Sequence, residues 1–178
     1  MIPAHAEAER SIRNAAVGIN EMRKSRVEDA VRMFESGYGC AQSVFATYAD
    51  LFGMDRQTAL KLSGPMSAGI GRMREVCGTV SAMAMLSGLK EGFTDPEDEE
   101  GKTKSYELVR KMADAFRKEQ GTIICRQLLG LPEGMEREES ARPQPRTPEY
   151  YASRPCSGAV RTAARIIERE LLDEAADE

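Results

Sequence analysis

Apolar residues recur at three- and four-residue intervals along almost the whole chain, in short blocks punctuated by glycine and proline. No stretch alternates apolar and polar residues as a half-buried strand does. That periodicity admits one class of architecture, a set of amphipathic helices joined by short turns. Val27, Ala30, Val31 and Phe34 mark one helix that ends at Gly37. Cys40 to Phe52 forms the next, with Gly39 as its N-cap and Val44, Phe45 and Tyr48 on its apolar face. Asp55 caps a short helix running through Leu60 and Leu62, and Gly64-Pro65 stops it. Cys77 to Leu89 is the most apolar block and is expected at the centre. Thr94-Asp-Pro-Glu-Asp98 reads as a helix start, followed by Tyr106, Val109, Met112, Ala113 and Phe116 facing the core up to Gly121. Thr122 then caps a turn over Ile123 to Leu129. Ser153 caps a last helix with Pro155 in its first turn and Val160, Ala163, Ala164 and Ile167 along one stripe.

The expected fold is therefore all-α, a compact single-domain helical bundle of about six to seven helices. Residues 1–26 read as an N-terminal helical arm, and residues 27–178 as the cysteine-containing domain. Within that domain 132–155, rich in Pro, Glu and Arg, reads as a long loop. A chain of 178 residues with 41% apolar content can bury one good core. Both charge signs are mixed and the formal net charge is −4, which argues against a broad nucleic-acid face. No apolar run approaches the roughly 18 residues of a membrane span. The first ten residues lack a basic start and an apolar core, so a cytoplasmic setting is expected.

Four cysteines stand singly, at Cys40, Cys77, Cys125 and Cys156, and each is expected in the first turn of a different helix. A helix start offers free backbone N–H groups and the positive end of the dipole, which lowers a thiol pKa. Arg72 and Arg74 precede Cys77, Arg126 follows Cys125, and Arg154 precedes Cys156, so each thiol except Cys40 has a cation close in sequence. In a reducing compartment this pattern reads as reactive thiols rather than a static disulfide framework. His5 is the single histidine and lies near the terminus, which leaves no Cys–His pair for the core. The loop from Gly64 to Arg72 is rich in small residues. It lacks the Lys-Ser/Thr ending of a nucleotide loop, but its backbone N–H groups suit an anion or a close approach to sulfur. Gly69, Gly71 and Arg72 are the candidate ligand-binding residues there. Met66, Met73, Met83 and Met85 around Cys77 read as core packing. The acids Glu97 to Glu100 and Glu136 to Glu139 read as solvated.

Gly37-Tyr-Gly-Cys-Ala-Gln-Ser-Val44, the Gly69-Ile-Gly-Arg72 loop, Glu75-Val-Cys-Gly78, Ile124-Cys-Arg-Gln-Leu-Leu-Gly130 and the late Cys156 together resemble the C_GCAxxG_C_C family. The resemblance runs from Val27 to about Leu171. Its members are described as redox-active, largely on the strength of these cysteines, so it implies a site more firmly than an activity. The sequence departs from the usual pattern at Pro65-Met-Ser-Ala-Gly69, where a denser glycine run is common, at Thr79 and Ala82, and at Gly39, where Asn is frequent. All four cysteines are kept.

Three functions remain open from the sequence. The first is thiol–disulfide exchange or electron transfer through the cysteines. It needs no cofactor, and its partner is a redox protein or a small thiol. Cys40 and Cys77 are its leading pair, with Cys125 and Cys156 as a second pair or the completion of the site. The second is a metal ion or iron–sulfur cluster held by Cys40, Cys77, Cys125 and Cys156, although no C-x₂₋₄-C knuckle is present. The third is a structural bundle with buried cysteines.

Overall fold

The computed structural model describes residues 24–132 and 140–173. The arm expected within residues 1–26 lies outside the described residues except for 24–26, and His5 and Glu136 to Glu139 also lie outside them. The fold is an all-α bundle. Its helices are α1 (Val27–Glu35), α2 (Cys40–Tyr48), α3 (Arg56–Ser63), α4 (Gly78–Glu91), α5 (Glu99–Gln120), α6 (Cys125–Leu128), α7 (Pro148–Ala152) and α8 (Cys156–Ile167). Among the described residues six of these have eight residues or more, in line with the six or seven expected.

The core forms where the apolar stripes meet. Helix α4 buries Val80, Ala82, Met83 and Leu86 against α2 and α5, and α8 closes over α1 with Val160, Ala163, Ala164 and Ile167. Phe34, Phe45, Tyr48, Phe116 and Met112 fill the space between them. Of the four methionines expected in the core, Met83 is fully buried and Met66 and Met85 pack at its edge, whereas Met73 is exposed. Tyr106 does not face the core either: it is 59% exposed, and its ring packs edge-on against Phe93. Its helix is the longest among the described residues, and Met112 and Phe116 in its second half carry the burial instead.

Several helix ends follow their expected caps and several shift. Asp55 accepts from the Thr58 N–H at 3.0 Å, and Gly39 caps α2, with Gln42 Oε1 accepting from the Gly39 N–H at 3.0 Å. The 94–98 start moves downstream: Asp95 accepts from the Glu97 N–H in a local turn, and Asp98 is the residue that caps α5 by accepting from Gly101 N–H. Thr122 accepts from the Ile124 N–H, which makes Ile124 rather than Thr122 the N-cap of α6. Ser153 ends α7 instead of starting α8, whose N-cap is Pro155. The expected long loop 132–155 therefore contains a helix of its own. It begins at Thr147-Pro148, where the threonine hydroxyl accepts from the Tyr150 N–H at 3.2 Å.

Two irregular features position the site. Ala68, Gly69, Ile70, Gly71 and Arg72 all have positive φ, between 53° and 73°, and Arg74 follows at 63°. This is one turn of left-handed backbone, in which the non-glycine residues each carry a conformational cost of about 1–2 kcal/mol. The turn is held by the Gly71 N–H donating to the Pro65 carbonyl at 2.6 Å and the Glu75 N–H donating to the Gly69 carbonyl at 3.3 Å. The chain leaving it runs antiparallel to the start of α6. Cys77 N–H donates to Ile123 O at 2.8 Å, Cys125 N–H to Glu75 O at 2.6 Å and Arg126 N–H to Arg74 O at 3.0 Å, around an isolated Val76–Ile124 bridge. Among the described residues no β-strand forms; this seam is too short to be one.

Candidate thiol pocket

Each cysteine stands at a helix start: Cys40, Cys125 and Cys156 are the first residues of α2, α6 and α8, and Cys77 is the N-cap of α4. Four helix starts from distant parts of the chain converge, and all four thiols line one cavity of about 60 Å³. The sequence places each thiol on its helix, and the packing of α2, α4 and α8 brings them together. All four are free thiols.

The convergence requires two glycines. A Cβ on Gly78 would lie 2.7 Å from Cys40 Sγ and 2.9 Å from the Met66 carbonyl, so only glycine lets the Cys40 sulfur settle beside the residue that follows Cys77. Gly69 has φ of +68°, and a Cβ there would meet Cys125 Cβ and Glu75 N at 2.8 Å. Gly69 therefore serves the site as a point of close packing under Cys125. Gly71 and Arg72 stand apart from the cavity lining: Gly71 turns the left-handed segment, and Arg72 Nε donates to the Ser140 carbonyl at 3.1 Å. Ser67 and Ala68 of the small-residue loop and Arg74 just after it reach the cavity.

Burial, rather than the helix starts, sets the state of three thiols. Cys77 is 5% exposed, and loss of hydration drives its pKa far up. The charge of Cys40 adds to the rise, while Thr79, whose hydroxyl lies 3.2 Å from Cys77 Sγ, opposes it. Cys125 is 7% exposed and is also raised by burial, with Arg74 and its charge pulling in the other direction. Cys156 is pushed up to about 11, first by burial and then by the charges of Cys40 and Cys125, against Arg154 and Arg146. The expectation of lowered thiol pKa values is thus corrected for these three. Removing a thiolate from water costs more than a helix dipole and one or two neighbouring arginines return. A charge on Cys40 raises each of the other three, which places Cys40 within electrostatic reach of them all.

The cations around the cavity are only partly those adjacent in sequence. Arg126 turns away from Cys125 and pairs with Glu75 at 2.7 Å. Arg74, 3% exposed, directs Nη1 toward Cys125 Sγ at 4.0 Å. Arg154 and Arg146 also line the cavity, both over the Tyr150 ring, at 4.4 and 4.6 Å from its centroid. Arg146 also lies 5.2 Å from the Phe34 ring and donates to the Tyr38 carbonyl. Arg146, Tyr150, Thr79 and Phe34 are site residues that the sequence reading did not single out. The signal for two of them was present in Arg146-Thr-Pro-Glu-Tyr-Tyr151, a capped helix start beside a cation and two aromatics.

A metal ion finds no ready ligand set. Among the described residues no three His, Cys, Asp or Glu side chains are grouped to hold one. Among the described residues no helix is long and apolar enough to cross a membrane.

Fold and site together define an all-α protein built around a four-thiol pocket. The family model described as "Putative redox-active protein (C_GCAxxG_C_C)" matches residues 38–170, a span that includes all four cysteines. The chain belongs to this family. No curated protein and no solved structure matches it.

Proposed function

We propose that the pocket is a thiol–disulfide redox centre in which Cys40 attacks and Cys77 resolves. The observation that carries this reading is the convergence of four free thiols on one small cavity. Cys40 is the more accessible of the pair, half-buried against a fully buried Cys77, and its sulfur rests beside Gly78. In the forward step the Cys40 thiolate forms a bond to one sulfur of a disulfide partner, and the other sulfur leaves as a thiolate and takes a proton. Cys77 then loses its proton and bonds to Cys40 sulfur, which releases the partner's second thiol. Burial, and after it the Cys40 charge, holds the Cys77 thiol protonated, and formation of the mixed disulfide removes the second of these causes. Cys125 and Cys156 act as a second pair or store a second two-electron equivalent. The partner is a redox protein or a small thiol.

The test is a redox titration of the full chain against dithiothreitol, with differential alkylation and mass spectrometry reading each cysteine. A reversible two-electron couple is expected. Cys40→Ser and Cys77→Ser should each remove it while helical circular dichroism is retained. Serine keeps the size of cysteine but cannot form the disulfide, and the stability cost is about 1–2 kcal/mol. A couple that persists in both variants would defeat the assignment. Brown, iron-containing protein from anaerobic purification would assign the thiols to a cluster instead.

A further inference from the structure

Thr79 is fully buried, and its hydroxyl stands 3.2 Å from Cys77 Sγ. Among the described residues that sulfur is the one hydrogen-bond partner of the hydroxyl. A hydroxyl taken out of water costs free energy unless it is hydrogen-bonded, and a neutral thiol is a weak partner. Valine has nearly the shape of threonine and would fill the same core position without that cost. The pairing gains strength when the sulfur carries charge, because a hydrogen bond to an ionised acceptor is about twice as strong as a neutral one.

Position in the helix adds a second donor. Cys77 is the N-cap of α4 and Thr79 its second residue, so the Thr79 N–H is among those the helix leaves unsatisfied. On the Cys77 thiol burial is the largest influence and the Cys40 charge the next, and both favour the neutral form. The hydroxyl and then the N–H of Thr79 act against them, while the Cys125 charge adds to the rise. The arginines bear on the other thiols: Arg74 directs Nη1 toward Cys125, and Arg154 and Arg146 act on Cys156.

We propose that Thr79 is a catalytic residue of the resolving step, its hydroxyl accepting the S–H of the resting Cys77 and turning to donate to that sulfur as the proton leaves. The inference rests on the thiol-redox reading above and adds to it the group that activates the second cysteine. At this point Cys40 already holds the partner's sulfur in a mixed disulfide. Cys77 gives up its proton, the Thr79 hydroxyl and N–H hold the thiolate, and the thiolate bonds to the Cys40 sulfur. The bond from Cys40 to the partner breaks with its electron pair on the partner's sulfur, which takes up one proton. One disulfide is consumed and one is formed, so the step needs no oxidant beyond the partner. The hydrogen bond is stronger to the charged sulfur than to the resting thiol, so it lowers the barrier measured from that thiol.

The experiment uses the reduced full chain, free of oxygen and in excess over dithiobis(nitrobenzoic acid), a disulfide whose two halves are coloured when released. Attack by Cys40 frees one half and resolution by Cys77 the other, so the steps appear as two phases in stopped-flow absorbance. Mass spectrometry of quenched samples locates the adduct and the disulfide. In Thr79→Val the first phase is expected unchanged and the second about tenfold slower, with the adduct collecting on Cys40. The pH at which the second phase reaches half its maximum rate is expected to move upward, and Thr79→Ser to restore both. Thr79→Ala removes the hydroxyl without putting a methyl group in its place and gives the same reading if the valine variant does not fold. A second phase as fast as the parent's in Thr79→Val or Thr79→Ala, or serine as slow as valine, overturns the role of Thr79 and leaves the thiol reading standing. If the parent chain shows no second phase, or clears the adduct without a Cys40–Cys77 disulfide, the thiol reading fails and the role of Thr79 falls with it.

Discussion

Cys156 opens a helix of twelve residues and has two arginines near it, yet its thiol pKa stands at about 11 rather than below 9.0. The consequence is a defined pH dependence. The folded-state pKa is raised above the unfolded value, so the stability contributed by the neutral thiol is complete below about pH 8.5–9 and is lost as pH climbs through 11. Two units correspond to roughly 2–3 kcal/mol. Urea unfolding at stepped pH should show stability falling across that alkaline window, and Cys156→Ala should flatten the fall. Gly78 makes a second residue-level test. In Gly78→Ala the new methyl meets both Cys40 Sγ and a backbone carbonyl, which cannot swing aside. We expect a loss of about 1–3 kcal/mol and a changed rate of Cys40 alkylation, read on one sample by chemical denaturation and mass spectrometry.

At the scale of elements, the left-handed turn over 68–72 and the Val76–Ile124 seam do what no regular helix can. They turn the chain sharply between α3 and α4, put Arg74 into the interior and bring Cys77 and Cys125 onto paired backbone. Two adjacent substitutions should move stability in opposite directions. Gly69→Ala drives a Cβ into Cys125 and the Arg74–Glu75 backbone and should cost about 2–4 kcal/mol. Ala68→Gly removes the side chain from a residue at φ of 57°, and after the entropy lost by glycine it should gain about 0.5 kcal/mol. Thermal unfolding of the pair decides it; equal effects would mean that the turn is not held as described.

Over the whole molecule, one carboxylate joins three distant parts of the chain. Glu168 accepts from the Tyr48 hydroxyl at 2.8 Å and from the Arg26 N–H at 2.7 Å, just beyond the end of α8. Tyr48 is fully buried, and the same carboxylate, with burial as the larger cause, holds its phenol un-ionised. Glu168→Ala leaves that hydroxyl without its acceptor and should lower stability by about 2 kcal/mol in urea titrations. Tyr48→Phe in the same background should recover part of the loss, because the stranded group is then gone.

The helical bundle and the seat of each cysteine were legible in the sequence because both depend on local rules. Apolar spacing at three and four residues specifies the helices, and Gly39, Asp55 and Gly121 set ends through backbone conformation or a single cap contact. Where two local signals competed, as in Thr94 to Asp98 or Ser153 to Pro155, the helix start fell a few residues beyond the first capping residue. Tertiary structure alone decided how the thiols meet, how deeply they are buried and therefore how they ionise. It also decided that Arg126 pairs with Glu75 while the more distant Arg146 reaches the pocket. The physical reason is range. Helix propensity and capping act within four or five residues, whereas dehydration of a thiol and the approach of a guanidinium depend on which elements pack around it, and here those elements lie as far apart as Cys40 and Cys156.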